Sequence, residues 1–192
     1  MKQLRRAPGG EVQLTWIGHA SFLIQMDGFN ILTDPHFSCR CSPFQWIGPS
    51  RYVPIPPNLL EPTSLPSVHL VVISHNHYDH LDTNSVTFLI SAARMAATSG
   101  IQPHWVVPLG VRAWLLACGV AEANIHELDW WTHGSITRST RETPPNAVPN
   151  IRGDTQLDFA SVPCQHFSGR SLWDRNEALW SSWIIATPNY RV

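Results

Sequence analysis

Leu70-Val71-Val72-Ile73-Ser74-His75-Asn76-His77-Tyr78-Asp79-His80 runs from an unbroken apolar tetrapeptide straight into three imidazoles and a carboxylate. A short apolar run of this kind reads as a buried strand, and a loop leaving a rigid strand can aim several side chains at one point. Zinc takes imidazole nitrogens and carboxylate oxygens at about 2.0–2.2 Å, so the segment reads as a metal site at a strand end. In an extended stretch His75 and His77 share a side, while Asp79 and His80 follow where the chain must turn. Two ligand sets result: His75 with His77, and Asp79 with His80.

The flanking sequence supplies a sheet for that loop. Val12–Ile17 and Phe22–Met26 alternate, and Asp27-Gly28 reads as a hairpin turn into Phe29–Thr33, which gives an antiparallel β opening. Proline stops the third strand at Asp34-Pro35. Residues 36 to 67 are rich in Pro and Ser, and they carry Phe37, Phe44, Trp46 and Tyr52, as a loop covering something apolar would. Beyond the His-rich loop, helical spacing over Ser85 to Ser99, capped by Thr83 or Asn84, precedes a strand at His104–Pro108 and a helix from Val111 to Cys118 stopped at Gly119. Strand, helix, strand, helix in that order implies helices layered on a sheet. A polar, proline-rich stretch from Thr140 to Asp154 then separates these from a strand at Leu157–Pro163. His166 follows that strand and is a candidate third imidazole. Leu179 to Thr187 reads as a last strand.

Composition narrows the function classes. A chain of 192 residues suits one core-bearing domain, read as 12–192 behind an N-terminal tail of residues 1–11. Net charge of −1 leaves no electrostatic footprint for nucleic acid, and residues 36–67 are aromatic rather than basic. Cys39, Cys41, Cys118 and Cys164 lack Cys-x-x-Cys pairing, so they are expected to be free thiols. The basic N-terminus has no apolar segment behind it, and no stretch approaches the ~18–20 apolar residues of a spanning helix. The expected location is cytoplasmic, with peripheral membrane association.

His75-x-His77-x-Asp79-His80 resembles the signature of the metallo-β-lactamase superfamily. Thr15–Ala20, Leu32–Pro35, Ser74–Asp82, Val107–Gly110, Glu127–Trp131, Gln165–Ser168 and Asn176–Trp183, in that order, are similar to N-acyl-phosphatidylethanolamine-hydrolysing phospholipases D and their bacterial relatives. The resemblance implies an αβ/βα sandwich of the α/β class with a dinuclear zinc site at the sheet ends. By it His75, His77 and His166 hold one zinc, Asp79 and His80 contribute to a second, and Asp79 is also the general base. Asp34 and His19 are expected to support the ligands, since a ligating imidazole usually donates its other N–H to a carboxylate or carbonyl. Trp46 and Tyr78 fall where the family lines its substrate entrance, and Gln45 where phosphate is oriented. The implied partner is a phospholipid or other phosphodiester, and a homodimer is a further implication.

The same resemblance exposes departures. The family continues past Ser182-Trp183 to a Gly-Asp-Thr-Gly segment whose Asp bridges the metals, and then to a last His ligand; this sequence stops at Val192. Gly153-Asp154-Thr155 precedes His166 and is not that bridge. Gly169 stands where some relatives carry a basic residue near phosphate, with Arg170 next to it as a substitute. The expectation is therefore an incomplete sandwich, about one zinc instead of two, and a weakened zinc-dependent phosphodiesterase. The alternatives are another hydrolase of the same fold, acting on a lactone, an ester or a different phosphodiester, and an inactive metal-binding remnant.

Overall fold

The computed structural model describes residues 11–55, 59, 61, 65–95, 101–138 and 155–192. Three antiparallel strands open it: β1 (Gln13–Gly18), β2 (Ser21–Met26) and β3 (Phe29–Thr33). Asp27 and Gly28 both take positive φ, 44° and 80°, and Met26 pairs with Phe29, so the Asp-Gly turn closes the hairpin that its sequence announces.

The chain then crosses over into parallel pairing. β4 (Leu70–Val72) lies beside β3, β5 (His104–Pro108) beside β4, and β6 (Ile125–Leu128) beside β5, which completes a six-stranded sheet in sequence order. A second sheet holds β7 (His133–Arg138), β8 (Thr155–Val162) and β9 (Ser182–Ala186), all antiparallel. Helices α1 (Thr83–Met95) and α2 (Arg112–Ala117) are connections of the first sheet.

Period-two alternation decides which layer each side chain joins. Leu23, Leu32, Val71, Ile73, Trp105 and Val107 face the helices and pack with Val86, Leu89 and Ile90 of α1 and Leu115 of α2. Their neighbours Ile24, Met26, Ile31, Leu70, Val72 and Val106 face the other way, onto Ile136, Leu157, Phe159 and Ile185 of the second sheet. The central strands are apolar on both faces because both faces are covered. Helix, sheet and sheet thus form an α/β sandwich around two cores.

Most expected elements fall within a residue or two of their places. α1 starts at Thr83, but the capping side chain is Asp82, whose carboxylate accepts from the Ser85 N–H at 3.2 Å, rather than the expected Thr83 or Asn84; the expected stretch beyond Met95 lies outside the described residues, as do residues 1–10 and the polar segment 139–154. β6 and β7 escape a reading by pattern. Each has one buried position, Ile125 and Ile136 respectively, too few for alternation to register.

Candidate metal centre

Four connections converge at the C-terminal ends of β3, β4 and β8. Parallel pairing of Thr33 with Val72 sets Asp34 beside the start of the His-rich loop, and the Asp34 N–H donates to the Val72 carbonyl at 2.8 Å. Asp34 takes φ +36°, an uncommon backbone state for a non-glycine residue. The Gly18-His19 turn, φ +135° and +51°, brings His19 over from the β1–β2 connection. His166 arrives from the second sheet beyond β8. That sheet is tied to the loop by the Ser181 N–H to the Ser74 carbonyl at 2.8 Å and the Trp183 indole to the Ile73 carbonyl at 2.9 Å.

Two donor clusters result. His75 Nε2 lies 2.8 Å from His77 Nδ1 and 2.9 Å from His166 Nε2, so three ring nitrogens point at one place. Beside them, His19 Nε2 is 2.8 Å from Asp79 Oδ2, and His80 Nε2 is 3.5 Å from the same oxygen. In each cluster the donor atoms lie within 4.8 Å of one another, and the His75 and His80 rings are 4.2 Å apart, so the clusters are adjacent. Three imidazoles in one and two imidazoles with a carboxylate in the other fit a borderline cation such as zinc. His75, His77 and His166 would hold one ion, and His19, Asp79 and His80 a second. The sequence reading has His19 supporting a ligand; the structure puts its ring nitrogen among the donors themselves.

Asp34 backs the arrangement. Its carboxylate accepts from the Ser74 N–H at 2.7 Å and the Ser74 hydroxyl at 2.6 Å, and it lies 2.7 Å from His80 Nδ1. Burial, helped by the facing imidazoles of His80, His77 and His166, lowers the His75 pKa to about 3. His77 is lowered for the same reasons, burial first. Burial also opposes charge on His80, but hydrogen bonds to Asp34 and Asp79 prevail and raise it to about 9. The His80 hydrogen bond holds Asp79 well below the usual carboxylate range despite its burial.

These shifts fix the sign of a pH dependence in the metal-free protein. His75 resists protonation in the fold, so its contribution to stability is intact above 6.5 and is lost as pH falls toward about 3. His80 is favoured as the cation, so its contribution is intact below 6.5 and is lost as pH rises through about 9. Urea midpoints of chelator-treated protein should therefore peak near pH 6.5 and fall on both sides. A midpoint still rising at pH 8.5, or level down to pH 5, would contradict these assignments.

Members of both clusters open onto a cleft of about 690 Å³. His19, His77 and Asp79 line it together with Trp16, Pro49, Tyr52, Val53 and Tyr78, so its walls are mostly apolar, and Arg51 supplies a guanidinium. Tyr78, which the resemblance puts at a substrate entrance, lines the cleft. Gln45 and Trp46 are not among the lining residues. The Gln45 amide closes its own loop through the Arg40 N–H and the Arg40 and Ser42 carbonyls, and Trp46 is exposed beside Phe44. Arg170 is not free for phosphate either: it donates to the carbonyls of Asn76 and Leu81 at 2.9 and 2.7 Å and stacks on the Tyr78 ring at 4.1 Å, bracing the His-rich loop from behind. Arg51, which hydrogen-bonds the carbonyls of His36 and Val53, and the Ser38–Asp82 pair carry no signal in the sequence, because their partners are backbone atoms or are distant in the chain. All four cysteines are free thiols.

Residues 29–192 match the family described as the Beta-lactamase superfamily domain. An uncharacterized protein of Mycobacterium tuberculosis is 38% identical over 186 residues, covering 97% of this chain and 42% of its own length. N-acyl-phosphatidylethanolamine-hydrolyzing phospholipase D 1 of Caenorhabditis elegans is 33% identical over 180 residues, 92% of this chain and 44% of its own. The chain spans about two-fifths of the length of these relatives. Among solved structures, Igni18, a metallo hydrolase from Ignicoccus hospitalis, superposes with a TM-score of 0.51 at 19% identity, over 94% of this chain and 58% of that one. The two-sheet sandwich, the clustered imidazoles and carboxylate at its strand ends and these similarities together make the chain a member of the metallo-β-lactamase superfamily.

Proposed function

We propose that this chain carries the catalytic centre of a zinc-dependent hydrolase that cleaves phosphodiesters, with N-acyl-phosphatidylethanolamines as the substrate class. The observation that carries the reading is the adjacency of two donor clusters, with His19, His77 and Asp79 lining a mostly apolar cleft. The similarity to the C. elegans phospholipase D supports the choice of lipid. When bound, zinc supplies a Lewis acid that makes water nucleophilic near neutral pH and offsets charge on phosphoryl oxygens.

The chain's own groups do the rest. Asp79, ionised at neutral pH through its hydrogen bond with His80, accepts the proton of the attacking water. Arg51 lines the cleft wall, and although its guanidinium nitrogens are held by the carbonyls of Ile17, His36 and Val53, its charge still favours an anionic group in the cleft. Trp16, Tyr52, Val53 and Tyr78 give the open cleft an apolar lining that suits acyl chains. Phe44, Trp46 and Ile47, exposed on the adjoining loop, suit peripheral contact with a lipid surface, and no described helix is long and apolar enough to cross a membrane.

Zinc-loaded protein incubated with N-acyl-phosphatidylethanolamine in mixed micelles is expected to release an N-acylethanolamine and phosphatidic acid, and Asp79→Asn to reduce the rate at least ~100-fold, the scale of a lost proton acceptor. Hydrolysis of a lactone or simple ester with no cleavage of the phosphodiester would favour another hydrolase of this fold. Zinc uptake with no turnover on any of these substrates would favour a metal-binding remnant.

A further inference from the structure

We infer that the Ser74 hydroxyl is a positioning group for the three-imidazole cluster: it relays Asp34 to His75, so one carboxylate orients an imidazole in each cluster. The inference rests on the metal reading above and adds to it a residue without ligand atoms of its own.

The proton count decides the directions. His75 Nε2 faces His77 and His166, which leaves Nδ1 for support, and Nδ1 lies 2.9 Å from Ser74 Oγ. Ser74 Oγ lies 2.6 Å from Asp34 Oδ2. A carboxylate only accepts, so the single hydroxyl proton goes to Asp34, and the hydroxyl oxygen is left to accept from the His75 Nδ1–H. A neutral imidazole protonated at Nδ1 carries its lone pair at Nε2, the nitrogen turned toward the cluster. The chain His75 Nδ1–H to Ser74 Oγ–H to Asp34 therefore selects the tautomer able to ligate.

His80 is served differently. Its Nδ1 is 2.7 Å from Asp34 Oδ2 but 3.3 Å from Ser74 Oγ, so the His80 Nδ1–H donates directly to Asp34 and Ser74 contributes little. Asp34 is itself fixed, buried and held by the Ser74 N–H at 2.7 Å and, through its own N–H, by the Val72 carbonyl. Ser74 should thus matter to one cluster and Asp34 to both.

Zinc titration against a chromogenic chelator, with Co²⁺ absorption as a second readout of ligand geometry, separates these roles. Ser74→Ala is expected to weaken the tighter zinc equivalent by ~10–100-fold, the usual cost of losing a ligand's outer hydrogen-bond partner, and to leave the weaker one unchanged. Ser74→Thr, which keeps the hydroxyl, should restore the tight equivalent, and Asp34→Asn should weaken both. A Ser74→Ala protein that binds its first zinc as the unaltered chain does would overturn the inference alone. So would a Ser74→Thr protein as weak as Ser74→Ala. An unaltered chain that takes up no zinc would remove the metal reading as well.

Discussion

Phe159→Ala is expected to cost about 3–5 kcal/mol, the usual range for emptying a buried aromatic site that cannot collapse. Phe159 projects from β8 into the core between the sheets, is 1% exposed, and packs with Val106, Ile136, Leu157 and Ile185. Its ring also lies over Gly134 of the neighbouring strand so closely that a methyl there would come within 2.6 Å of Cε2. Backbone of a paired strand on one side and the first sheet on the other leave little to move into the vacated space. Against a total stability of roughly 5–15 kcal/mol the loss is severe. Urea unfolding checks it: the midpoint should drop with the slope unchanged, whereas a change under about 1 kcal/mol would mean that the second sheet is not packed through this residue.

His75→Ala is expected to have the largest effect on metal binding. His75 is the hub of the three-imidazole cluster, since its Nε2 is within 2.9 Å of a ring nitrogen of both His77 and His166. It is also the buried member, while His77 and His166 are more open to solvent. Removing it leaves two imidazoles and should weaken zinc by more than the roughly 10–100-fold that an outer partner costs. A metal that binds only the folded chain stabilises it by about 2.7 kcal/mol at a hundredfold excess over Kd. Thermal unfolding of chelator-treated protein with and without added zinc should show that gain in the unaltered chain and its loss in His75→Ala. Equal gains in both would remove His75 from the site.

The parts of the fold that repeat a pattern were legible from the chain. The Asp27-Gly28 hairpin, the doubly apolar Leu70–Val72 strand and the helix opening at Thr83 each carry their own local signal, and each lies where that signal puts it. β6 and β7 are held by pairing to a neighbour rather than by an apolar stripe, so the signal is missing. The same contrast runs through the site. His75, His77, Asp79 and His80 are adjacent in sequence because one loop delivers them. His19 lies 60 residues from Asp79 and joins its cluster only because the β1–β2 turn folds over the strand ends. Arg170 reads as a phosphate-binding cation until its partners are seen to be the carbonyls of Asn76 and Leu81. Backbone partners leave no trace in sequence, which is also why nothing in the chain marks the Gln45 amide as closed onto its own loop.

The second cluster bears on the expected count of about one zinc, which rests on the family's bridging Asp and last His being absent from this sequence. His19 joins Asp79 and His80, so the second position has three possible donors among the described residues. The two positions differ in their protons. Burial favours the neutral form of His75 and His77, whereas hydrogen bonds to Asp34 and Asp79 favour the His80 cation, so a metal taken up at His80 would displace a proton.

Metal content tests the central claim most directly. Protein stripped with chelator, reloaded with zinc and dialysed should retain one zinc per chain by elemental analysis, with a second equivalent taken up more weakly and with proton release. A chain that is folded by circular dichroism and yet retains no zinc would contradict it.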